Sequence, residues 1–171
     1  MNDDGAIFAI AIDPRSDPLN RTIYAGVSYG YGTPKSGSKY GMYRSIDNGL
    51  SWLSINNGLP DDSLNIKHII IHPLNSKIIY ISTSYGSLGP RMTAGYVAKS
   101  VDAGSTWQIL LKDVDCRALA VDPFNPNIIY AGNRDCSGHS PNKIFWKSTD
   151  GGMSWKYLPG DMFNTGFTYH T

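Results

Sequence analysis

The sequence predicts an all-β protein made of repeated four-stranded antiparallel sheets, and three observations carry that prediction. An octet is written three times: Ser45-Ile46-Asp47-Asn48-Gly49-Leu50-Ser51-Trp52, Ser100-Val101-Asp102-Ala103-Gly104-Ser105-Thr106-Trp107 and Ser148-Thr149-Asp150-Gly151-Gly152-Met153-Ser154-Trp155. Each octet closes the same succession of short apolar runs separated by turn formers. No stretch carries the apolar spacing of an amphipathic helix.

The octet pattern S-x-D-x-G-x-[S/T]-W suits a hairpin corner. The carboxylates of Asp47, Asp102 and Asp150 can accept hydrogen bonds from the N–H groups that follow them. Gly49, Gly104 and Gly152 can take positive φ without a Cβ clash. Ser45, Ser100 and Ser148 supply a short hydroxyl at the entrance. Trp52, Trp107 and Trp155 each begin the next strand and bring a large apolar area that is expected to be buried between sheets.

The first strand of each repeat is an aliphatic run ended by a turn at proline: Ile7 to Pro14, Ile66 to Pro73 and Cys116 to Pro123. Runs so continuously apolar read as strands covered on both faces. The second strands are Thr22-Ile23-Tyr24-Ala25-Gly26, Ile78-Ile79-Tyr80-Ile81-Ser82 and Ile128-Ile129-Tyr130-Ala131-Gly132. The third strands are Gly41-Met42-Tyr43-Arg44, Tyr96-Val97-Ala98-Lys99 and Ile144-Phe145-Trp146-Lys147, and the fourth run from each octet tryptophan through Ile55, Leu110 and Leu158. Successive tryptophans are 55 and 48 residues apart, the length of a four-stranded β-propeller blade. The expected division is blade one 6–56, blade two 65–111 and blade three 115–159, within one partial propeller. Residues 160–171 form a tail or, through Phe167-Thr168-Tyr169, the start of another blade.

The octets resemble Asp-box (BNR-type) repeats. The longer frame I-x-[I/V]-D-P…I-Y-A-G…K-S-x-D-x-G-x-[S/T]-W is similar to blades of xyloglucan-hydrolysing glycoside hydrolases. Similar blades occur in the sortilin ectodomain, in sialidases and in a photosystem II assembly factor. The resemblance runs from about Ile7 to Leu158. It implies a propeller in which the box is a folding motif, and it leaves the activity open among these relatives. The leading expectation is a non-catalytic binding or assembly module, and the alternative is a fragment of a glycoside hydrolase acting on β-glucans such as xyloglucan. One departure is His72, which stands where the frame has Asp13 and Asp122 and argues against a catalytic role for that turn.

Three blades are fewer than the four to eight of a closed ring. Two blade faces are therefore expected to lie bare, to be covered by further blades or by other copies, most simply two copies in a six-bladed ring. The partners expected are thus the chain itself or further blades of the same propeller, with carbohydrate as a ligand class.

Charge excludes some functions. A net charge of +1 with only 17% charged residues gives no dense basic field for nucleic acid. No apolar run has the length of a transmembrane helix, so membrane insertion is not expected. The composition, rich in Gly, Tyr, Ser and Asn, suits an extracellular, loop-rich protein, although the acidic start Met1-Asn2-Asp3-Asp4-Gly5 lacks signal-peptide character.

Strand direction places the proline turns and the octets on one face and the longer, non-repeating loops on the other, where binding is usually found. Those loops carry Tyr29, Tyr31, Tyr40, Tyr85, Arg91, Arg134 and His139. Of these, Tyr29, Tyr31, Tyr85, Arg91 and Arg134 are the candidate ligand-binding residues, as platforms and donors for sugars. The same tyrosines also read as covers over neighbouring blades. A glycosidase needs two carboxylates about 5–9.5 Å apart, and Asp61 or Asp62 with Asp113 or Asp115 are the candidates on successive interblade loops. No arginine triad of sialidase type, phosphate loop, nucleophile–base set or metal set stands out, so no catalytic residue beyond those candidates, no cofactor and no metal is expected. His68 and His72 read as packing or turn histidines, and His139 beside Cys136 lacks further ligands. Cys116 and Cys136 fall at the same end of a hairpin that turns near Phe124 to Asn127, which predicts a disulfide and an oxidising compartment.

Overall fold

The computed structural model describes residues 5–29, 40–60, 65–84, 95–133 and 145–158. They form twelve strands: β1 (Gly5–Ile12), β2 (Ile23–Tyr29), β3 (Gly41–Ser45), β4 (Leu53–Ser54), β5 (Ile66–Ile71), β6 (Ile79–Thr83), β7 (Tyr96–Ser100), β8 (Gln108–Lys112), β9 (Cys116–Val121), β10 (Ile129–Asn133), β11 (Phe145–Ser148) and β12 (Lys156–Tyr157). The sheets are β1-β2-β3-β4, β5-β6-β7-β8 and β9-β10-β11-β12, each an antiparallel meander. The innermost strand β5 lies between β1 and β9. The molecule is three blades of an incomplete β-propeller.

The corners explain why the octet is repeated. In each, the leading serine hydroxyl donates to the aspartate Oδ1 and accepts the N–H of the octet glycine. The aspartate Oδ1 also accepts the N–H of Ser51, Thr106 or Ser154, whose hydroxyl donates to Oδ2. Two consecutive residues take positive φ at the tip: Asn48 and Gly49, Ala103 and Gly104, Gly151 and Gly152. That is the backbone of a type I′ hairpin turn, whose twist matches the strands it joins. Donors converging on each carboxylate hold its pKa at about 2. The Ser51 hydroxyl is the largest cause for Asp47, the Thr106 hydroxyl for Asp102 and the Ser154 hydroxyl for Asp150.

Two seams hold the blades together. Between blades one and two, Ala9, Tyr24, Met42, Ile55 and Leu59 meet Ile79, Ile81, Tyr96, Ala98 and Trp107. Between blades two and three, Tyr80, Val97 and Val114 meet Cys116, Leu119, Ile129 and Ala131, with Trp146 and Trp155 packed partly against them. Each blade therefore has one face toward the preceding blade, carrying the octet tryptophan, and one toward the following blade, carrying the strand-two tyrosine.

The octet corner is also a docking point across each seam. Arg44 Nη1 of blade one donates to the Ala103 carbonyl of blade two at 2.9 Å, with the Tyr24 hydroxyl 3.5 Å from the same oxygen. One blade on, Lys99 Nζ donates to the Gly151 carbonyl at 3.1 Å while lying over the Tyr80 ring. The octet glycine matters here as well: a Cβ on Gly104 would collide with Ile55, and one on Gly152 with Leu110. Among the described residues the third glycine, Gly49, meets no other blade and faces its own Trp52 and Ile23 at ordinary contact distance.

Two sequence expectations need correction. The octet tryptophans are not all buried: Trp107 is 6% exposed, Trp155 is half-buried and Trp52 is 42% exposed. Trp107 Nε1 crosses to the Ile55 carbonyl at 2.7 Å, whereas Trp52 and Trp155 turn back to the carbonyls of Gly49 and Gly152 in their own corners. Likewise, only β5 among the first strands is covered on both sides. Strand β1 leaves Ile10 and Ile12 at 64% and 56% exposure, and β9 leaves Ala118 and Ala120 exposed. For Trp52, β1 and β9 the reason is the same, because among the described residues no blade precedes the first or follows the third, whereas Trp155 has blade two beside it and packs only partly into that seam.

Candidate functional site

The loop-side ends of the innermost strands gather the charged and aromatic groups best placed to meet a ligand. In every blade the pairing of the first strand with the second skips a residue near this end. Ile7 pairs with Val27 and Ala9 with Gly26, leaving out Phe8. Ile66 pairs with Thr83 and His68 with Ser82, leaving out Lys67. Cys116 pairs with Asn133 and Ala118 with Gly132, leaving out Arg117. Bulges of this kind redirect a side chain and often border functional surfaces.

Phe8, Lys67 and Arg117 hold the same register position on β1, β5 and β9, and these strands are neighbours. Lys67 Nζ sits over the Phe8 ring at 4.4 Å from its centroid, a cation–π contact. Burial lowers the Lys67 pKa, as does the nearby Arg117 charge, while Asp115 opposes them. Asp115 is fully buried, accepts from Arg117 Nε at 3.0 Å, and its N–H donates to Asn133 Oδ1 at 2.7 Å. The strip thus offers one aromatic face, two cationic donor groups and a carboxylate that neutralises one of them. Such a set can stack on an apolar ring face and donate to hydroxyl oxygens.

The sequence candidates fare differently. Asp113 lies exposed in the turn after β8 at φ +60°, and Asp115 is engaged by Arg117. Asp61, Asp62, Tyr31, Tyr85, Arg91, Arg134, Asp135, His139 and Cys136 lie outside the described residues, as does the side chain of Tyr29. Cys116 does not carry the expected bridge. Its thiol is free and buried, lies 3.3 Å from the Ala118 carbonyl as a donor, and is pushed up to about 11, chiefly by burial. Among the described residues no three His, Cys, Asp or Glu side chains converge as a metal set. No helix there is long and apolar enough to cross a membrane.

His72 explains how the frame tolerates its departure. At the first and third proline turns, Asp13 Oδ1 accepts the Arg15 N–H and Asp122 Oδ1 the Phe124 N–H. At the second, His72 Nδ1 accepts the Leu74 N–H at 3.1 Å. The imidazole replaces the carboxylate as acceptor, which requires Nδ1 to be unprotonated. Burial first, then Lys99 and Arg15, lowers its pKa and favours that form.

Phe8, Lys67 and Arg117 were missed because each reads as part of an apolar run or a lone charge. Aligning the three first strands on Asp13, His72 and Asp122 puts them in one column, and that column is the signal which could have found them.

The fold defines the class of molecule as a β-propeller built of four-stranded blades. Its likeness to particular solved structures falls on glycoside hydrolases. The GH74 enzyme of Niastella koreensis superposes with a TM-score of 0.68 at 22% identity, covering 88% of this chain and 22% of that one. The GH74 xyloglucanase of Xanthomonas campestris superposes with a TM-score of 0.63 at 20% identity, covering 91% and 21%. In sequence, the chain is 28% identical over 128 residues to a xyloglucanase of Hypocrea jecorina, covering 67% of the chain and 14% of that protein. It is 27% identical over 182 residues to the xyloglucanase Xgh74A of Acetivibrio thermocellus, covering 89% of the chain and 20% of that protein. The chain therefore spans a fifth or less of the curated relatives it matches. No protein-family model matches it.

Proposed function

We propose that this chain forms a sugar-contacting wall of an extracellular β-propeller glycoside hydrolase acting on xyloglucan-type β-glucans. The observation that carries the proposal is the similarity to Xgh74A, at 27% identity in an alignment that covers 89% of the chain. The strip of Phe8, Lys67 and Arg117 supplies a chemical reason, since an aromatic face flanked by donors suits a polyhydroxylated, uncharged chain. The three corners are Asp-box corners, and their part is to make the wall rigid.

Within this reading the described blades bind rather than cleave. Asp115 is buried against Arg117 and is not poised for acid–base work. A cleaving pair would draw on Asp113 with Asp61 or Asp62, on surfaces completed by further blades. Affinity electrophoresis through xyloglucan, beside an unsubstituted β-glucan, tests the binding. Retardation by xyloglucan is expected, weakened about tenfold or more in Phe8→Ala and Lys67→Met. Unchanged mobility in both gels would remove the proposal. Reducing-sugar release that survives replacement of Asp61, Asp62 and Asp113 together by Asn would remove the assignment of that pair.

A further inference from the structure

The strip on the innermost strands carries more positive charge than it has partners for. In blade three a counter-charge is built in beneath the cation. Asp115 stands two residues before Arg117, is fully buried, and accepts from Arg117 Nε at 3.0 Å. The residue two before Lys67 is the neutral Asn65, and the one two before Phe8 is Ala6. Lys67 accordingly has the Phe8 ring beside it at 4.4 Å and forms no ion pair among the described residues. Burial and the Arg117 charge both lower its pKa, the direction expected of a cation short of counter-charge, and Asp115 offsets them only in part.

Arg117 has donors to spare for a ligand. The bond to Asp115 occupies its Nε, while Nη1 and Nη2 donate to no described residue and the side chain is 46% exposed. A guanidinium pinned at Nε holds its remaining planar fork in one orientation. That fork matches the two oxygens of a carboxylate and loses little rotamer freedom on binding. An uncharged glucan unit laid along the strip leaves the surplus charge unanswered, and desolvating an unpaired ammonium against it is unfavourable. One anionic group between the two cations removes that cost.

We propose that the strip selects β-glucan chains bearing an acidic sugar, whose carboxylate is held between the Arg117 fork and the Lys67 ammonium. The inference rests on the glycan reading and narrows it to a substrate class. Asp115 is a positioning residue here: it aims the fork, and as the single carboxylate beside two cations it leaves the strip net positive.

Calorimetric titration of the full chain tests this with two probes: xyloglucan oligosaccharides, untreated or oxidised to carboxylates at their free primary hydroxyls. At low salt the oxidised probe is expected to bind about tenfold tighter or more, as charge-assisted hydrogen bonds allow. The advantage should shrink as salt rises toward about 0.5 M. Arg117→Lys keeps the charge but not the fork and should lose most of the advantage. Asp115→Asn with Arg117→Gln removes the buried pair together, leaving no unpaired charge in the fold, and should abolish it. If the untreated probe bound and the oxidised one bound no tighter, the inference would fall and the glycan reading would stand. Binding of neither probe would remove both. An advantage intact in Arg117→Lys, or displacement of the oxidised probe by inorganic phosphate as readily as by glucuronate, would show diffuse charge attraction and overturn the inference as well.

Discussion

Trp107 and Trp52 begin the same strand after the same octet, yet one is sealed in a seam and the other is 42% exposed. Their corners share the serine that braces the aspartate, the hydrogen bonds on that carboxylate from the residue before the tryptophan, and the two left-handed residues at the tip. What differs is the neighbour. Blade one lends Ile55 to Trp107 and Gly104, while nothing described stands before Trp52 and Gly49. The corner is thus set locally, and burial of its tryptophan is a property of the stack.

Substitutions can break that comparison. Trp107→Ala should cost about 3–5 kcal/mol in urea unfolding, as large buried aromatics do. Trp52→Ala should cost less than about 1 kcal/mol at concentrations where the chain is monomeric. Equal costs would mean that the indole works within its own blade. A finer cut uses the glycines, which share φ near +86°. Gly49→Ala should lose only about 1–2 kcal/mol for the left-handed backbone. Gly104→Ala should lose about 1–3 kcal/mol more, because its Cβ meets Ile55 across the seam.

Acid tests what the corners share. Their aspartates ionise at about 2 in the fold, below the roughly 3.9 of an unfolded chain. Between those values the unfolded chain holds more protons, so the corner contribution is complete above about pH 4 and fades toward pH 2. Thermal melts across that range should fall steadily, and a flat profile would contradict the hydrogen-bonding scheme. The smallest effect belongs to His72. Its lowered pKa favours the neutral acceptor, so its contribution is complete above about pH 6.5 and declines as pH drops toward its folded value. His72→Asp, which restores the acceptor of the other two turns, should remove that slope between neutral pH and pH 5.

Much of this was legible in the residues. The octet announced hairpin corners, and the proline turns and I-Y-A-G strands announced four-stranded blades. The fate of each apolar face was not legible, because Ile10 and Ile69 look alike until the blade beside them is known. The bulges escaped for a related reason: one extra residue in an aliphatic run leaves no mark in composition and shows only as a slip in pairing. The disulfide expected from Cys116 rested on strand ends that meet, whereas the thiol at that end is turned toward the Ala118 carbonyl.

The most direct test of the account is acrylamide quenching of single-tryptophan variants that keep only Trp52 or only Trp107, read at a dilution where copies do not associate. The account predicts a blue-shifted, poorly quenched Trp107 and a red-shifted, readily quenched Trp52. If both indoles were equally shielded, or Trp107 the more accessible, seam formation by neighbouring blades would not be what buries the octet tryptophan.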